Sequence, residues 1–414
     1  MVINITGDIG EIMKIDKKQI RNYRLCANHL NRKIHMDGMI NAAGVCGLQN
    51  SPPGAWETAL FNRLSNCSLE ALNDALHSKK KLLQAWSYRG APVVFPTEQS
   101  DVFLTSLIAQ DGELPWIYTR GITGALDYLQ MSFDDVLARL KKAITYLDGH
   151  TIKSKEILDQ TLAHIIYYDL PKDKQTHWCA PSMYGNPEKQ TVGGAAVSFL
   201  LRPCSFYSLV VFGERKDVSP TFTSFKNWTG HMPGKVQDAD KELVRKFLHC
   251  YGPATVDYFM YWLGCSPKQA HRLWNRVADE IVAVEVEGKS CYILEEDMGS
   301  LISANSDEGR LLMLGPHDPY LGLSDRTTIL ENKDLHKKVW KSVANPGVVL
   351  RGGRIIGIWK SKTLKDKLDI SITMWESLGF SEQKVLKQLA ENYAVFRMLH
   401  LRNLILEKRS YPIR

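Results

Sequence analysis

Three helical patterns followed by one alternating pattern occupy residues 241–294, and this order limits the fold more than any other feature of the chain. Apolar residues recur at helical spacing in KELVRKFLHCY and stop at Gly252-Pro253, after which TVDYFMYWLG and SPKQAHRLWNRVADE indicate two further short helices. The sequence IVAVEVEGKSCYILEE then alternates with period two on either side of a turn at 287–289. Three short helices followed by a β-hairpin is the element order of a winged helix.

The third of these helices corresponds to the helix that enters the DNA groove in helix-turn-helix proteins. Its outward positions carry Lys268, Gln269, Arg272 and Arg276, which are residue types that contact phosphates or base edges. We therefore expect Lys268, Gln269 and Arg272 to bind DNA. The alternative is a winged-helix unit that serves as a scaffold, since the fold also supports protein contacts, with these side chains in solvent.

Two further sets of helices followed by short strands precede this unit. The first set ends with the helical SLEALNDALHSKKKL and the extended AWSYRGAPVVFP, and the second runs from TEQSDVFLTSLIAQ to the strands FYSLVVFG and SPTFTSFKNW. After residue 300 the pattern changes to strands, with a hairpin in GVVLRGGRIIGIWKSK and a strand in KLDISITMW. The segment SEQKVLKQLAENYAVFRMLHLRNLILEKR is predicted as one long closing helix.

We therefore predict an α+β protein that consists of three tandem winged-helix units and a small β-rich, barrel-like C-terminal domain. The predicted boundaries are 1–97, 98–235 and 236–300 for the three units and 301–414 for the C-terminal domain. A chain of 414 residues is too long for one ordinary core, which agrees with several domains.

The net charge of +7 is concentrated near the end of the chain. Residues 330–414 contain 17 Lys and Arg against 8 Asp and Glu, whereas residues 1–329 contain 35 against 37. A local excess of positive charge favours a polyanion such as nucleic acid. A solvated helix face would show the same excess, so charge alone leaves both interpretations open.

The eight cysteines are scattered, with no CxxC pair and no Cys/His cluster at zinc-ligand spacing, which predicts buried reduced thiols and no metal site. No window approaches twenty consecutive apolar residues, and the N-terminal sequence lacks the pattern of a secretory signal. We expect a cytoplasmic protein that does not interact with membranes and acts as a monomer.

Two arginines, Arg351 and Arg354, flank a Gly352-Gly353 turn in the C-terminal hairpin. Two cations beside two glycines would suit a close approach to a DNA groove, and we expect both arginines to bind DNA. The alternative is a solvated turn.

A run of uncharged polar residues, Gln49, Asn50 and Ser51, lies in CGLQNSPPG between two helical segments. Ser51 precedes two prolines and an apolar helical pattern, which predicts Ser51 as the N-cap of the next helix with proline in its first turn. A helix N-terminus attracts anions, so Asn50 and Ser51 could also hold a DNA phosphate.

Four phrases together resemble one family: LLQAWSYRGAPVVFP, FLHCYGPATVDYFMYWLG, LMLGPHDPYLGLSDR and GVVLRGGRIIGIWK. Their order and spacing are similar to those of the bacterial winged-helix DNA-binding proteins that include the AlkZ-like (YcaQ-like) DNA glycosylases. The resemblance implies tandem winged helices and a small β-barrel-like domain that bind duplex DNA. It also implies hydrolysis of the glycosidic bond of alkylated purines, including bulky adducts and cross-links, without a metal or cofactor.

In that family the GLQ phrase continues into a catalytic pair, Gln-x-Gln or Gln-x-Asp, which holds the attacking water. Gln49 matches the first member of the pair, and the second position is Ser51. The RG phrase of relatives commonly has a histidine shortly after the glycine, but here Arg89 begins the sequence RGAPVV. The resemblance therefore implies that Gln49 and Ser51 are catalytic and that Arg89 binds DNA. We expect Gln49 and Ser51 to bind the water more weakly than the catalytic pair of the family does.

Our first hypothesis is a monofunctional DNA glycosylase that acts on N7- or N3-alkylated purines in duplex DNA. The second is a non-catalytic DNA-binding or regulatory member of the same family, and the third is a scaffold for a protein partner. Asp318 and Arg326, in GPHDPYLGLSDR, are predicted to form a structural ion pair or turn, with a functional carboxylate as the alternative.

Overall fold

The computed structural model describes residues 12–113, 116–216 and 219–409. The first set of elements contains four helices and a three-stranded antiparallel sheet with strand order β1-β3-β2. These elements are α1 (Lys17–Ala27), α2 (Met39–Gly44), β1 (Leu48–Gln49), α3 (Ala55–Arg63), α4 (Leu69–Asn73), β2 (Leu82–Trp86) and β3 (Pro92–Pro96). This order confirms the predicted helices that lead into a short sheet.

The second set is mostly helical and has its own three-stranded sheet, with strand order β4-β6-β5. Its elements are α5 (Ser100–Phe103), α6 (Trp116–Leu129), α7 (Phe133–Ala143), β4 (Ile152–Lys153), α8 (Lys155–Tyr167), α9 (Lys172–Cys179), α10 (Val192–Phe206), β5 (Val211–Lys216), β6 (Ser219–Thr223) and α11 (Phe225–Thr229). Helix α10 was not predicted. Its glycines allow close packing, since a Cβ on Gly193 would lie 2.2 Å from the indole of Trp178.

Two predicted strands in this set are therefore partly wrong. Helix α10 extends to Phe206, so the strand that was predicted in FYSLVVFG begins only at Val211. The end of SPTFTSFKNW is helical, because Ser224 accepts a hydrogen bond from the Asn227 backbone N–H and caps α11.

The third set confirms the predicted order of three helices and a hairpin. Its elements are α12 (Ala239–Tyr251), α13 (Val256–Leu263), α14 (Pro267–Trp274), β7 (Ile281–Val286), β8 (Lys289–Leu294) and α15 (Met298–Ser303). Helix α1, although it comes first in the chain, packs here: the Tyr23 hydroxyl donates to the His249 carbonyl (2.8 Å). The division into three winged-helix units stays a prediction.

The last set is a five-stranded sheet with order β13-β12-β11-β10-β9, in which β12 and β13 are parallel and the other pairs antiparallel. Its elements are β9 (Leu311–Leu314), α16 (His336–Val339), β10 (Gly347–Arg351), β11 (Arg354–Leu364), β12 (Lys367–Met374), α17 (Phe380–Phe396) and β13 (His400–Lys408). The predicted β-rich C-terminal region is confirmed. Among the described residues β9 and β13 do not pair, so the structure does not confirm a barrel-like closure.

The long closing helix is wrong in its last third. Helix α17 ends at Phe396, and Met398 adopts a left-handed backbone with φ 56° that directs the chain out of the helix. Residues 400–408 then run parallel to β12 as a strand. No helix in the described ranges is long and apolar enough to cross a membrane.

Candidate active site

Gln49 is the last residue of β1 and lies at the edge of a cleft. Its backbone pairs with Val93 of β3, and the next residue, Asn50, donates its backbone N–H to the Pro92 carbonyl (2.7 Å). These ladder contacts fix the backbone of Gln49, while its half-buried side chain lines the cleft. The first member of the expected catalytic pair therefore belongs to a rigid strand end.

Arg89 reaches the same cleft from the turn between β2 and β3. Its Nη2 donates a hydrogen bond to Gln49 Oε1 (3.3 Å), and its guanidinium lies 5.2 Å from the centroid of the Tyr88 ring. The Arg89 backbone has φ 56°, in the left-handed region that non-glycine residues rarely adopt. The Tyr88 hydroxyl donates to the Cys46 carbonyl (3.2 Å), which ties this strained turn to the segment that leads into Gln49.

The opposite wall of the cleft comes from the segment between β9 and β10. It includes His317, Trp340 and Asn345, so the cleft joins residues that are more than 200 positions apart in the chain. The space that water-sized molecules can enter is about 40 Å³. A water needs roughly 10–15 Å³ measured in this way, so the cleft holds a few waters.

His317 is the titratable imidazole in this cleft. Burial and the nearby Arg89 cation both lower the pKa of His317 below its ordinary value, so the ring is neutral at neutral pH. Asn345 Oδ1 accepts from the Lys341 backbone N–H (2.8 Å), which directs Asn345 Nδ2 toward His317 Nε2 (3.4 Å). The hydrogen bonds therefore assign the proton of the neutral ring to Nδ1.

Asp318 lines the same cleft, but its carboxylate is occupied. Both of its oxygens accept from the Arg63 guanidinium (2.8 Å each), and Oδ1 also accepts from the Tyr320 backbone N–H (3.0 Å). Burial opposes the charge on Arg63, yet Asp318 raises the Arg63 pKa above its usual value. Asp318 is therefore a structural carboxylate, but the predicted pair with Arg326 is wrong, because its partner is Arg63. Arg326 instead lies over the Trp340 ring (4.7 Å).

The structure does not place Ser51 at a helix cap, so that prediction is wrong. Helix α3 begins at Ala55, and its N-cap is Gly54, which has φ 89° and no side-chain cap. Two prolines between Ser51 and Gly54 lengthen the turn, which moves Ser51 away from the first amides of the helix. In the part of the chain that is described, Ser51 Oγ forms no hydrogen bond, so its hydroxyl is uncommitted.

Asn50 closes the turn in place of Ser51. Its Oδ1 accepts from the Gly54 backbone N–H (2.8 Å), and its Nδ2 donates to Gln84 Oε1 on β2 (2.9 Å). The side chain is buried, with 8% of the residue exposed. Asn50 therefore holds the joint together, and these bonds compete with the DNA contact predicted for it.

Among the polar residues of α14, Gln269 is buried, contrary to its predicted outward position, whereas Lys268 is exposed and Arg272 partly exposed. The DNA contacts of Lys268 and Arg272 stay predictions. Gln269 is buried and donates through Nε2 to the Leu107 carbonyl (3.1 Å), and Lys268 Nζ donates to the Asp111 carbonyl (3.1 Å). Arg272 binds both carboxylate oxygens of Glu113 (2.6 and 2.9 Å). The segment after α5 packs against this face, because its carbonyls and one carboxylate accept hydrogen bonds from the donors of α14.

The C-terminal hairpin tip also packs inward. A Cβ on Gly353 would lie 2.8 Å from the Tyr320 hydroxyl, which donates to the Gly353 carbonyl (3.0 Å). Arg351 is engaged by Glu376 (2.8 Å) and Glu382 (3.3 Å), and Arg354 lies 3.4 Å from Glu376. Gly353 is thus buried and both arginines have carboxylate partners, while Gly352 and Arg354 stay partly exposed. The DNA contacts of Arg351 and Arg354 stay predictions.

A larger groove adjoins the cleft, and sequence reasoning did not find it. Its volume is about 710 Å³, and Asn345 and Pro346 line both spaces. Its lining in the described ranges contains three cations, Lys341, Lys360 and Arg397, and no carboxylate. The excess of positive charge after residue 330 indicates cations in this part of the chain, but it does not show which of them line the same groove. His317, in the GPHDPY phrase, was likewise visible in sequence without a partner to identify it.

The chain has clear relatives. A family model described as "DNA glycosylase AlkZ-like" matches residues 42–396. An interstrand DNA cross-link repair glycosylase from Streptomyces sahachiroi is 22% identical over 365 residues, covering 84% of this chain and 88% of the relative. The solved structure of the Streptomyces sahachiroi DNA glycosylase AlkZ has the same fold, with a TM-score of 0.73 at 18% identity, covering 94% of this chain and all of that one.

Proposed function

The chain belongs to the AlkZ-like family of DNA glycosylases, and from this premise we propose that it hydrolyses the N-glycosidic bond of N7- or N3-alkylated purines in double-stranded DNA. The proposal includes bulky adducts and interstrand cross-links, since the matched relative is named for cross-link repair. The observation that carries it is the convergence of Gln49, Arg89 and His317 on a water-sized cleft beside a cationic groove. The enzyme acts as a cytoplasmic monomer without a metal or cofactor.

The reaction requires little general-acid catalysis from the protein. A purine that is alkylated at N7 or N3 is already cationic, so its bond to C1′ is weak and it leaves as a neutral base. The enzyme must place a water near C1′ and tolerate an oxocarbenium-like transition state. A cleft with room for a few waters and with fixed hydrogen-bonding groups suits the first task.

Gln49 orients the attacking water. Arg89 donates to Gln49 Oε1, which identifies the oxygen end of the amide and leaves a second lone pair on that oxygen. This lone pair accepts a hydrogen from water and directs the water oxygen toward C1′. Ser51 does not line the cleft; its uncommitted hydroxyl, at the position where the family has Gln or Asp, is the proposed second water ligand.

The charges in the cleft fit a DNA substrate. Arg89 binds a phosphate beside the lesion, because its remaining N–H groups can donate to an anion. His317 stays neutral, so it adds no second positive charge next to the cationic transition state. Its Nδ1–H can donate to a sugar or phosphate oxygen.

The size of the cleft supports bulky substrates. The unbound cleft of about 40 Å³ has room for waters but not for a purine ring, and we therefore propose that the damaged base stays outside it during hydrolysis. A base that is not enclosed can carry a large adduct or remain linked to the opposite strand.

The test is release of modified bases from duplex DNA. Purified protein is incubated with duplexes that contain N7-methylguanine, a bulky N7 adduct or an N7–N7 cross-link, and abasic sites are detected by alkaline cleavage. We expect release from at least one duplex. No release from any of them would contradict the glycosylase proposal, and tight binding with a steep salt dependence would then support the non-catalytic DNA-binding alternative. Failure to bind DNA would favour the protein-scaffold hypothesis.

A further inference from the structure

A loop at residues 341–346 separates the cleft from the groove. Asn345 and Pro346 line both spaces, while Lys341, Val343 and Ala344 line the groove alone. Val343 is 81% exposed, the highest value of any large apolar residue in the described ranges. An aliphatic side chain thus stands in solvent at the boundary between the water-binding cleft and the cationic groove.

The loop has a defined shape. Asn345 Oδ1 closes it by accepting from the Lys341 backbone N–H (2.8 Å), and Asn345 Nδ2 anchors it to His317 (3.4 Å). Ala344, at the tip, has φ 54°, a left-handed conformation that a non-glycine residue keeps only where its surroundings impose it. These contacts therefore hold the backbone of the loop that carries Val343 at the edge of the cleft, with the Val343 side chain in solvent.

The cations near Val343 are available for an anion. Lys341 and Lys360 are exposed, and neither forms an ion pair with a carboxylate in the described parts of the chain. The third cation of the groove, Arg397, is paired with Glu57. Two unpaired lysines beside an exposed aliphatic side chain match a nucleic-acid duplex, whose phosphates lie outside a stack of apolar base faces.

We propose that Val343 is an apolar wedge that enters the base stack of duplex DNA beside the damaged nucleotide, with Lys341 and Lys360 on the flanking phosphates. The inference rests on the proposed function, because it requires duplex DNA in the groove. Insertion of an apolar side chain between bases unstacks them and bends the duplex. The wedge opens the stack next to the cleft, which gives the water held at Gln49 access to C1′ although the base itself does not enter the cleft.

The test uses a duplex with 2-aminopurine next to a stable abasic-site analogue. The fluorescence of 2-aminopurine rises when the base loses its stacking partner, and DNA affinity is measured separately by anisotropy. Saturating wild-type protein is expected to raise the fluorescence about threefold or more, and Val343→Ala to give less than about half of that rise with an affinity within about threefold of wild type. Val343→Leu retains the rise.

Val395 supplies the matched control. It is a valine of similar exposure (75%) on α17 that does not line the groove, so Val395→Ala is expected to behave as wild type. Wild-type protein that binds the duplex without a fluorescence rise, or a Val343→Ala variant with the full rise, would overturn the wedge and leave the proposed function standing. Absence of wild-type binding to any duplex would instead overturn the proposed function.

Discussion

Two glutamines illustrate how differently two regions of this molecule use the same residue type. Gln269, on α14, is 1% exposed; its Nε2 donates to the Leu107 carbonyl, while its Oε1 is buried and has no partner among the described residues. Gln49, at the end of β1, is half-buried, and Arg89 engages only its oxygen. Both were predicted to be functional. The first is enclosed at a contact between two sets of elements, and the second presents its unused hydrogen-bonding groups to an open cleft.

The same contrast extends to the neighbours of each glutamine. Lys268 and Arg272 on α14 have partners in the segment 107–113, whereas Ser51 Oγ and His317 Nδ1 have none within the described part of the chain. A polar group that is satisfied by its own chain stabilises the fold, and an accessible group left short of partners is available to a ligand. Substitutions in the two regions should therefore affect different measurements.

Removal of the Gln49 side chain should have the largest effect. Gln49→Ala deletes the acceptor that orients the water, and base release should slow by about 100-fold or more, as is usual for loss of a positioned catalytic group. The variant should keep its melting temperature, because the side chain makes one long hydrogen bond. Single-turnover release from N7-methylguanine duplex measures the first effect and thermal unfolding the second. Gln269→Ala is the matched control, with unchanged release, and equal rates for Gln49→Ala and wild type would refute the role of Gln49.

Removal of the Arg272 side chain should lower the stability of the protein and leave base release unchanged, which is the reverse of the result expected for Gln49→Ala. The Glu113 side chain is 2% exposed, and Arg272→Ala would leave it buried without its partner, at a cost of about 2–3 kcal/mol of unfolding free energy. Burial raises the Glu113 pKa, but Arg272 outweighs it and keeps the pKa below 4.5, so the pair stabilises the protein above that pH and the stability is lost in acid. Chemical denaturation at pH 7 and pH 4 measures both effects. A slower base release at full stability would show instead that α14 contacts DNA.

The elements that local patterns determine could be predicted from sequence. The three helices and the hairpin of residues 241–294 follow from helical spacing, caps and a turn, and all lie where the sequence indicated. The closing helix failed at its end because Met398 adopts a left-handed backbone and the following residues pair with β12, a contact between distant parts of the chain. Local propensity does not encode such a partner.

The candidate site likewise combines a residue that a local motif predicts with residues that only distant contacts bring together. Gln49 was identified by its place in a motif, but the cleft needs His317 and Asn345 from more than 260 residues further along the chain. The α14 residues were assigned to DNA because outward helix positions were assumed to face solvent. Their acceptors in 107–113 are backbone carbonyls and one carboxylate, which no pattern in α14 itself reveals.

Substitution of Ser51 should sharpen the role of the cleft. Ser51→Gln or Ser51→Asp restores a residue of the family pair, and either should accelerate base release by about tenfold through a better hold on the water. Because Ser51 is not a helix cap, the melting temperature should change little. A variant with reduced release and reduced stability would show that the Ser51 hydroxyl has a structural partner after all. Asn50→Ala is the contrasting variant, since loss of its bonds to Gly54 and Gln84 should lower stability.

Two histidines allow a comparison in which the expected effects are the smallest but differ in sign with pH. His317 in the cleft has a lowered pKa because of burial and Arg89, whereas Asp297 raises the pKa of His249, on α12, through a hydrogen bond of 3.0 Å. Stability linked to His317 is therefore complete above about pH 6.5, the unfolded value, and decreases as the pH falls toward its folded pKa. Stability linked to His249 is complete below about pH 6.5 and decreases as the pH rises through its raised pKa.

Melting curves from pH 5 to pH 8 should show that His317→Gln loses less stability than wild type on acidification and that His249→Gln loses less on alkalinisation. Base release should depend on pH through His317 alone, because only that imidazole lies where the water is held, and an equal effect of His249→Gln on the pH profile would contradict this assignment.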